Sequence, residues 1–258
     1  MTIDRATAAR RALPLVDLTS LNEDDTEERI AALCAQARTA EGPVAAVCVY
    51  PRFVAQAADV LSGSPVRVAT VANFPAGRLD ARGVREEAQR AIADGAHEVD
   101  VVLPYLAYAA GDRDAALAVV GAAREATAGA TLKVILETGR LGSADRVRAA
   151  AAGALAAGAD FVKTSTGKLE PGATLEAARA MLEAIRDHGR GGFKAAGGVR
   201  TAQDAAGFLA LADEVVGEGW TSPDTFRFGA STLLGDLLNA LGSGREADAA
   251  GGLDSGGY

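Results

Sequence analysis

Eight short apolar segments, separated by Ala-rich stretches, constrain the fold of this chain more than any other feature. They run 13–18 (LPLVDL), 44–50 (VAAVCVY), 66–72 (VRVATVA), 97–103 (HEVDVVL), 131–137 (TLKVILE), 160–165 (DFVKTS), 192–196 (GFKAA) and 225–230 (TFRFGA). They are short and either rich in Val or bounded by Gly and Pro, as buried strands are. Between them, residues 25–40, 80–94, 112–128, 143–157, 174–188 and 201–212 combine alanine with charges on one face, the pattern of helices packed on a core. Ser143 and Thr201 stand where N-caps belong, and Gly95, Gly129 and Gly158 stand where such helices should stop.

Strands that alternate with helices imply right-handed crossovers and a parallel sheet. Eight such units within about 240 residues predict an α/β fold, the (β/α)8 TIM barrel. An open doubly wound sheet would need a Gly-rich loop after its first strand. Here that strand runs into DLTSLNEDD, which has no glycine. No linker divides residues 1–241, which are expected to form one barrel domain. Residues 242–258, GSGREADAAGGLDSGGY, read as a flexible Gly-rich tail.

The chain has 258 residues, 49% of them hydrophobic, and a net charge of −8. It can bury a sizeable core, and an extended nucleic-acid or anionic-membrane surface is not expected. No apolar run reaches the ~20 residues of a membrane span, and the start, MTIDRATAARR, lacks the apolar core of a signal peptide. We therefore expect a cytoplasmic protein. Cys34 and Cys48 are too few for a disulfide framework and read as buried thiols. With His97 and His188 as the only histidines, no metal site is expected.

Lysine is scarce. Of 26 basic residues only Lys133, Lys163, Lys168 and Lys194 are lysine, and three of these lie inside apolar segments. Positions that tolerate either cation have gone to Arg, so the remaining lysines are candidates for work Arg cannot do, such as losing a proton. In a barrel of this kind the active site lies at the C-terminal ends of the strands. Alternation along FVKTS puts Phe161, Lys163 and Ser165 on one face, and the next strand offers Lys194. Two buried ammonium groups on neighbouring strands repel, so one should be neutral near pH 7 and able to attack a carbonyl. The bland alternative makes each a paired structural cation, with Asp100 or Glu137 as partner. Asp100, among Val99, Val101 and Val102, must be paired in either case.

The loops after strands seven and eight often build a phosphate site from backbone N–H groups and a helix start. Gly197-Gly198-Val199-Arg200 and Gly229-Ala230-Ser231-Thr232 are placed for this, and Gly167-Lys168 could add a third wall. A tight turn explains any one Gly pair equally well.

These residues together resemble a known family, the 2-deoxyribose-5-phosphate aldolases. The likeness extends nearly end to end through DLTSLNEDDT, VCVYPRFV, TVANFPAG, EVDVVLPY, KVILETG, FVKTSTGK, GFKAAGGVR and RFGASTLL. The resemblance implies that Lys163 forms an imine with substrate, that Lys194 lowers its proton affinity, and that Asp100 serves the proton transfers through water. It implies a phosphate pocket of Gly167, Lys168, Gly197, Gly198, Val199, Arg200, Gly229, Ser231 and Thr232. It implies further that Asp17, Thr19 and Phe74 line the substrate cleft, and that Tyr258, ending the tail, assists proton exchange. The expected reaction is reversible cleavage of 2-deoxy-D-ribose 5-phosphate to acetaldehyde and D-glyceraldehyde 3-phosphate. It needs no metal or organic cofactor, and its partners are small sugar phosphates and aldehydes. The likeness also implies homodimers. Other readings are another Schiff-base aldolase or transaldolase, a sugar-phosphate isomerase, and a non-catalytic sugar-phosphate binder; the last would not need the lysines.

Overall fold

The structure, a computed structural model, describes residues 3–243. Tyr258 and all of the predicted tail beyond Ser243 lie outside the described residues. Eight parallel strands close into a barrel. They are β1 (Val16–Ser20), β2 (Ala46–Val49), β3 (Arg67–Ala72), β4 (Glu98–Val102), β5 (Thr131–Ile135), β6 (Phe161–Lys163), β7 (Gly192–Ala196) and β8 (Phe226–Ala230). Each pairs with the next in sequence, and β8 returns to β1 with Val16 opposite Phe228. The chain adopts the (β/α)8 TIM barrel that its periodicity predicts.

Local chemistry sets the boundaries. Residues 13–15 leave the predicted first strand for a 3-10 turn, because Pro14 has no N–H to give a ladder. β6 is three residues long rather than six. Beyond it, the Thr164 hydroxyl takes over the ladder by donating to the Ala196 carbonyl and accepting from the Ala196 N–H, both at 3.0 Å. The six predicted helices form within a few residues of their expected ends. Ser143 caps Ala144–Ala156, and Thr201 with Asp204 makes a reciprocal capping box on Ala202–Val215. Short helices at Arg5–Ala12, Val54–Val60 and Tyr105–Ala110 carry too few turns to show in the pattern. The first of these packs on Ala202–Val215 and Leu233–Leu241, where Arg11 forks Asp213 with two bonds of 2.8 Å.

The main core lies between the outer faces of the strands and the helices. Barrel interiors are normally filled by Val, Ile and Leu, but this one is split. On the β1–β3 side Leu21, Ala46, Cys48, Ala69 and Val71 make a small apolar cluster. The remainder holds charges, namely Asp17, Glu98, Asp100, Lys133, Lys163, Lys194 and Arg227, none more than 3% exposed. Cys34 and Cys48 are buried free thiols.

Candidate active site

Strand alternation fixes which side chains enter the barrel. Asp100 on β4 is the hub. Its Oδ2 accepts from Lys163 Nζ and from Lys194 Nζ, both at 2.8 Å, and its Oδ1 accepts from Lys133 Nζ at 3.0 Å. Lys194 also pairs with Asp17 at 2.6 Å, and Lys133 also meets Glu98 and, at 3.5 Å, Asp17. Beneath them Arg227 bridges Asp17 at 2.6 Å and Glu98 at 2.9 Å. The sequence readings of Asp100 as partner of Lys163 and as partner of Lys194 hold at once, while Glu137 turns away to accept from Thr166 Oγ1 at 2.6 Å.

The three interior lysines differ in what surrounds them. Burial pushes the Lys163 ammonium below its ordinary value, Asp100 opposes this, and Lys194 adds to it. Desolvation, rather than lysine–lysine repulsion alone, leads the shift. Burial acts on Lys194 too, but Asp100 and Asp17 together overcome it and hold its proton more tightly than usual. Lys133 is likewise raised against its burial by Asp100, Glu98 and Asp17. Asp100 sits well below the carboxylate range, its burial outweighed by the three lysines.

A pocket of about 310 Å³ opens above this cluster at the C-terminal ends of the strands. Of the three interior lysines only Lys163 lines it. Its walls are Thr19 on one side and the loops after β6, β7 and β8 on the other, bringing together Gly167, Lys168, Gly197, Gly198, Val199, Arg200, Gly229, Ser231 and Thr232. Gly197 and Gly198 both have φ of +85°, a left-handed pair that L side chains rarely adopt. A Cβ on Gly172 would stand 2.5 Å from the Gly197 carbonyl oxygen, so the β6 and β7 loops touch through backbone alone. The helix Leu233–Leu241 starts directly behind Thr232, whose hydroxyl makes no capping bond. A helix start, Lys168 and Arg200 thus lie along one wall in a chain of negative net charge, with the Lys168 ammonium donating to the Leu21 carbonyl at 2.7 Å. Such an arrangement suits an anion.

Two expected cleft residues sit elsewhere. Asp17 lies fully buried beneath the pocket, and Phe74 packs edge-on against Tyr50 with ring centroids 6.1 Å apart. Asp100 and Lys194 are also beneath the floor, Asp100 bonded directly to Lys163 and Lys194 one bond further on.

A family model for DeoC/LacD family aldolases matches residues 11–237. The chain belongs to this aldolase family. Among solved structures, one from Coccidioides immitis, provisionally assigned as a deoxyribose-phosphate aldolase, is 32% identical with a TM-score of 0.80. The match covers 93% of this chain and 87% of that one. A Toxoplasma gondii structure with the same provisional assignment is 26% identical, with a TM-score of 0.85 and coverage of 93% and 96%. The tetrameric deoxyribose phosphate aldolase from Aeropyrum pernix is 26% identical, with a TM-score of 0.75 and 93% coverage of both chains. Among the described residues no helix is long and apolar enough to cross a membrane.

In this member of the DeoC/LacD family, Glu98 and Arg227 belong to the buried cluster although sequence reasoning passed over them. The signal was present: Glu98 is two residues before Asp100, and Arg227 two before Gly229, so each shares an inward face. Gly229 itself has a further role. A Cβ there would lie 2.9 Å from Lys194 Cε and 3.1 Å from Ala196 Cβ, so the glycine makes room for the lysine stem. Gly229→Ala is expected to displace Lys194 from Asp17 and Asp100. Its cost should be at least as large in turnover as in affinity for inorganic phosphate, measured on the same preparation; loss of phosphate affinity alone would contradict this role.

Proposed function

We propose that this chain is a Schiff-base aldolase that reversibly cleaves 2-deoxy-D-ribose 5-phosphate to acetaldehyde and D-glyceraldehyde 3-phosphate. The observation that carries the reading is that Lys163 alone of the interior lysines faces the pocket and is held by a single carboxylate oxygen. Burial favours its neutral form, which is the nucleophile. Its amine attacks C1 of the open-chain sugar, and loss of water from the adduct gives a protonated imine. Asp100, bonded to Lys163 through Oδ2, and Lys194, bonded to the same oxygen, are the groups that pass protons during this dehydration.

The iminium is an electron sink. When a base takes the proton of the 3-hydroxyl, the C2–C3 electron pair moves onto C2 and glyceraldehyde 3-phosphate leaves. Protonation of the resulting enamine and hydrolysis of the imine then release acetaldehyde and restore Lys163. In this reading Tyr258 assists the enamine protonation. The loops after β6, β7 and β8 hold the 5-phosphate, whose binding remote from the reacting carbons fixes the chain in place. The unphosphorylated sugar should therefore react poorly.

The test is reduction by borohydride in the presence of acetaldehyde, followed by peptide mapping. A two-carbon adduct on Lys163 is expected. An adduct on Lys194 would exchange the roles of the two lysines, and a folded protein with no adduct would sink the imine mechanism. Cleavage of 2-deoxyribose 5-phosphate at a rate no greater than that of 2-deoxyribose would sink the phosphate assignment.

A further inference from the structure

We propose that Arg227, below the pocket floor on β8, is a positioning residue that keeps Lys163 unprotonated by setting the charge balance of the buried cluster. The inference rests on the imine reading above and concerns what selects Lys163 as the free amine.

Every strand contributes to the groups that face this interior. They are Asp17 from β1, Cys48 from β2, Arg67 from β3, Glu98 and Asp100 from β4, Lys133 from β5, Lys163 from β6, Lys194 from β7 and Arg227 from β8. Glu137, just past β5, turns its carboxylate onto the Thr166 N–H and hydroxyl and makes no ion pair with these cations. Burial also raises the Cys48 thiol, which stays neutral. Arg67 is half exposed and 3.8 Å from Glu98, so solvent screens it. Joined to one another by ion pairs in the interior are three carboxylates, three lysines and one arginine. Fully ionised, this set has one positive charge too many. Releasing one proton closes it.

The contacts decide which proton goes. Arg227 cannot release one at any ordinary pH. Lys133 meets three carboxylates and Lys194 meets two. Lys163 has only Asp100 Oδ2, and shares that oxygen with Lys194. It is therefore the least compensated cation. Arg227 creates the surplus by adding a permanent positive charge to Asp17 and Glu98, the carboxylates it shares with Lys133 and Lys194.

Without the Arg227 charge, three carboxylates would match three lysines, and Lys163 would keep its proton at neutral pH. No contact between the two is needed. Their Cα positions share a register row through Lys194, two strands apart, which is about 10 Å. Over that distance one charge in a protein interior shifts a titration by about one pH unit. A purely structural Arg227 is the competing account, since its guanidinium also lies over the Phe161 ring and its Nε donates to the Pro223 carbonyl.

The experiment reads the pH midpoint for formation of the acetaldehyde adduct on Lys163, trapped with cyanoborohydride and quantified by peptide mapping. In Arg227→Met the midpoint should rise by about one unit, with adduct formation recovering at high pH. Arg227→Lys, which keeps the charge, should keep the parent's midpoint. Glu98→Gln should lower it, and combining Glu98→Gln with Arg227→Met should return it towards the parent's. If circular dichroism shows Arg227→Met unfolded, Glu98→Gln and Arg227→Lys carry the test alone. An unmoved midpoint in folded Arg227→Met or Glu98→Gln would overturn the charge-balance role and leave the imine reading standing. So would a shift in Arg227→Lys as large as that in Arg227→Met. No adduct on Lys163 of the parent chain at any pH would overturn both.

Discussion

Lys163→Met should abolish the borohydride-trapped adduct and lower cleavage by about 10⁴-fold or more, the scale of losing a covalent nucleophile. The same change should leave the protein at least as stable at pH 7. Methionine fits the lysine stem, removes a group whose charged form is disfavoured by burial, and leaves Asp100 paired with Lys133 and Lys194. The pH dependence separates this from generic damage. Lys163 holds its proton less tightly folded than unfolded, so between its folded and its unfolded value the unfolded chain binds more protons at this site. Its contribution to stability therefore rises with pH, from its lowered folded value up to the ordinary lysine value of about 10.4. Thermal melts of parent and variant should converge as pH climbs through that window. A variant less stable than the parent throughout it would show that the Lys163 ammonium is a structural cation, and the imine assignment would lose its physical basis.

Asp100→Asn should be the most destabilising conservative change in the site. The amide matches the carboxylate in shape, but the Lys194 and Lys133 ammonium groups, at 2.8 and 3.0 Å, lose the charge that holds them, and Lys163 loses its acceptor at 2.8 Å. Breaking a buried pair by neutralising one partner costs about 3–5 kcal/mol, or a melting point lower by about 10 °C in a chain of this size. Asp100 has its carboxyl well below the usual range, so its stabilisation is fully present above the unfolded value of about 3.9 and is lost as pH falls below it. The difference between parent and Asp100→Asn should shrink on acidification below about pH 4. Turnover should fall by about 10²–10⁴, the range for a removed general acid–base. Adduct formation on Lys163 should fall less, because the amine is freer of its proton once the carboxylate is gone. A variant with unchanged melting point and unchanged turnover would remove Asp100 from its place as hub.

The strand–helix alternation, the N-caps at Ser143 and Thr201, and the inward face of FVKTS were legible because each depends on neighbours within a few residues. Lys163 as the candidate nucleophile was legible for a different reason: a lysine-poor chain exposes the few lysines it retains. The pocket wall could be expected because Gly-rich turns follow both β7 and β8, the two loops that often build an anion site in such barrels, although either turn alone reads equally well as a tight turn. Glu137 shows the limit. It follows β5 close to Lys163 and is an obvious partner on paper, yet its backbone turns left-handed at φ of +52° and its side chain goes to Thr166. Nothing in KVILETG announces that turn.

Sequence alone determined the barrel, the strand that carries each charged side chain, and the family resemblance through FVKTSTGK and GFKAAGGVR. Only the tertiary structure decided how those charges are shared. Asp17 and Arg227 are separated by 210 positions along the chain, yet they meet at 2.6 Å because β8 closes onto β1. The proton affinity of Lys163 depends on the sum of such contacts and on the exclusion of water around them. Electrostatic energy in a dry interior is set by distance and burial, and neither can be read from the order of residues.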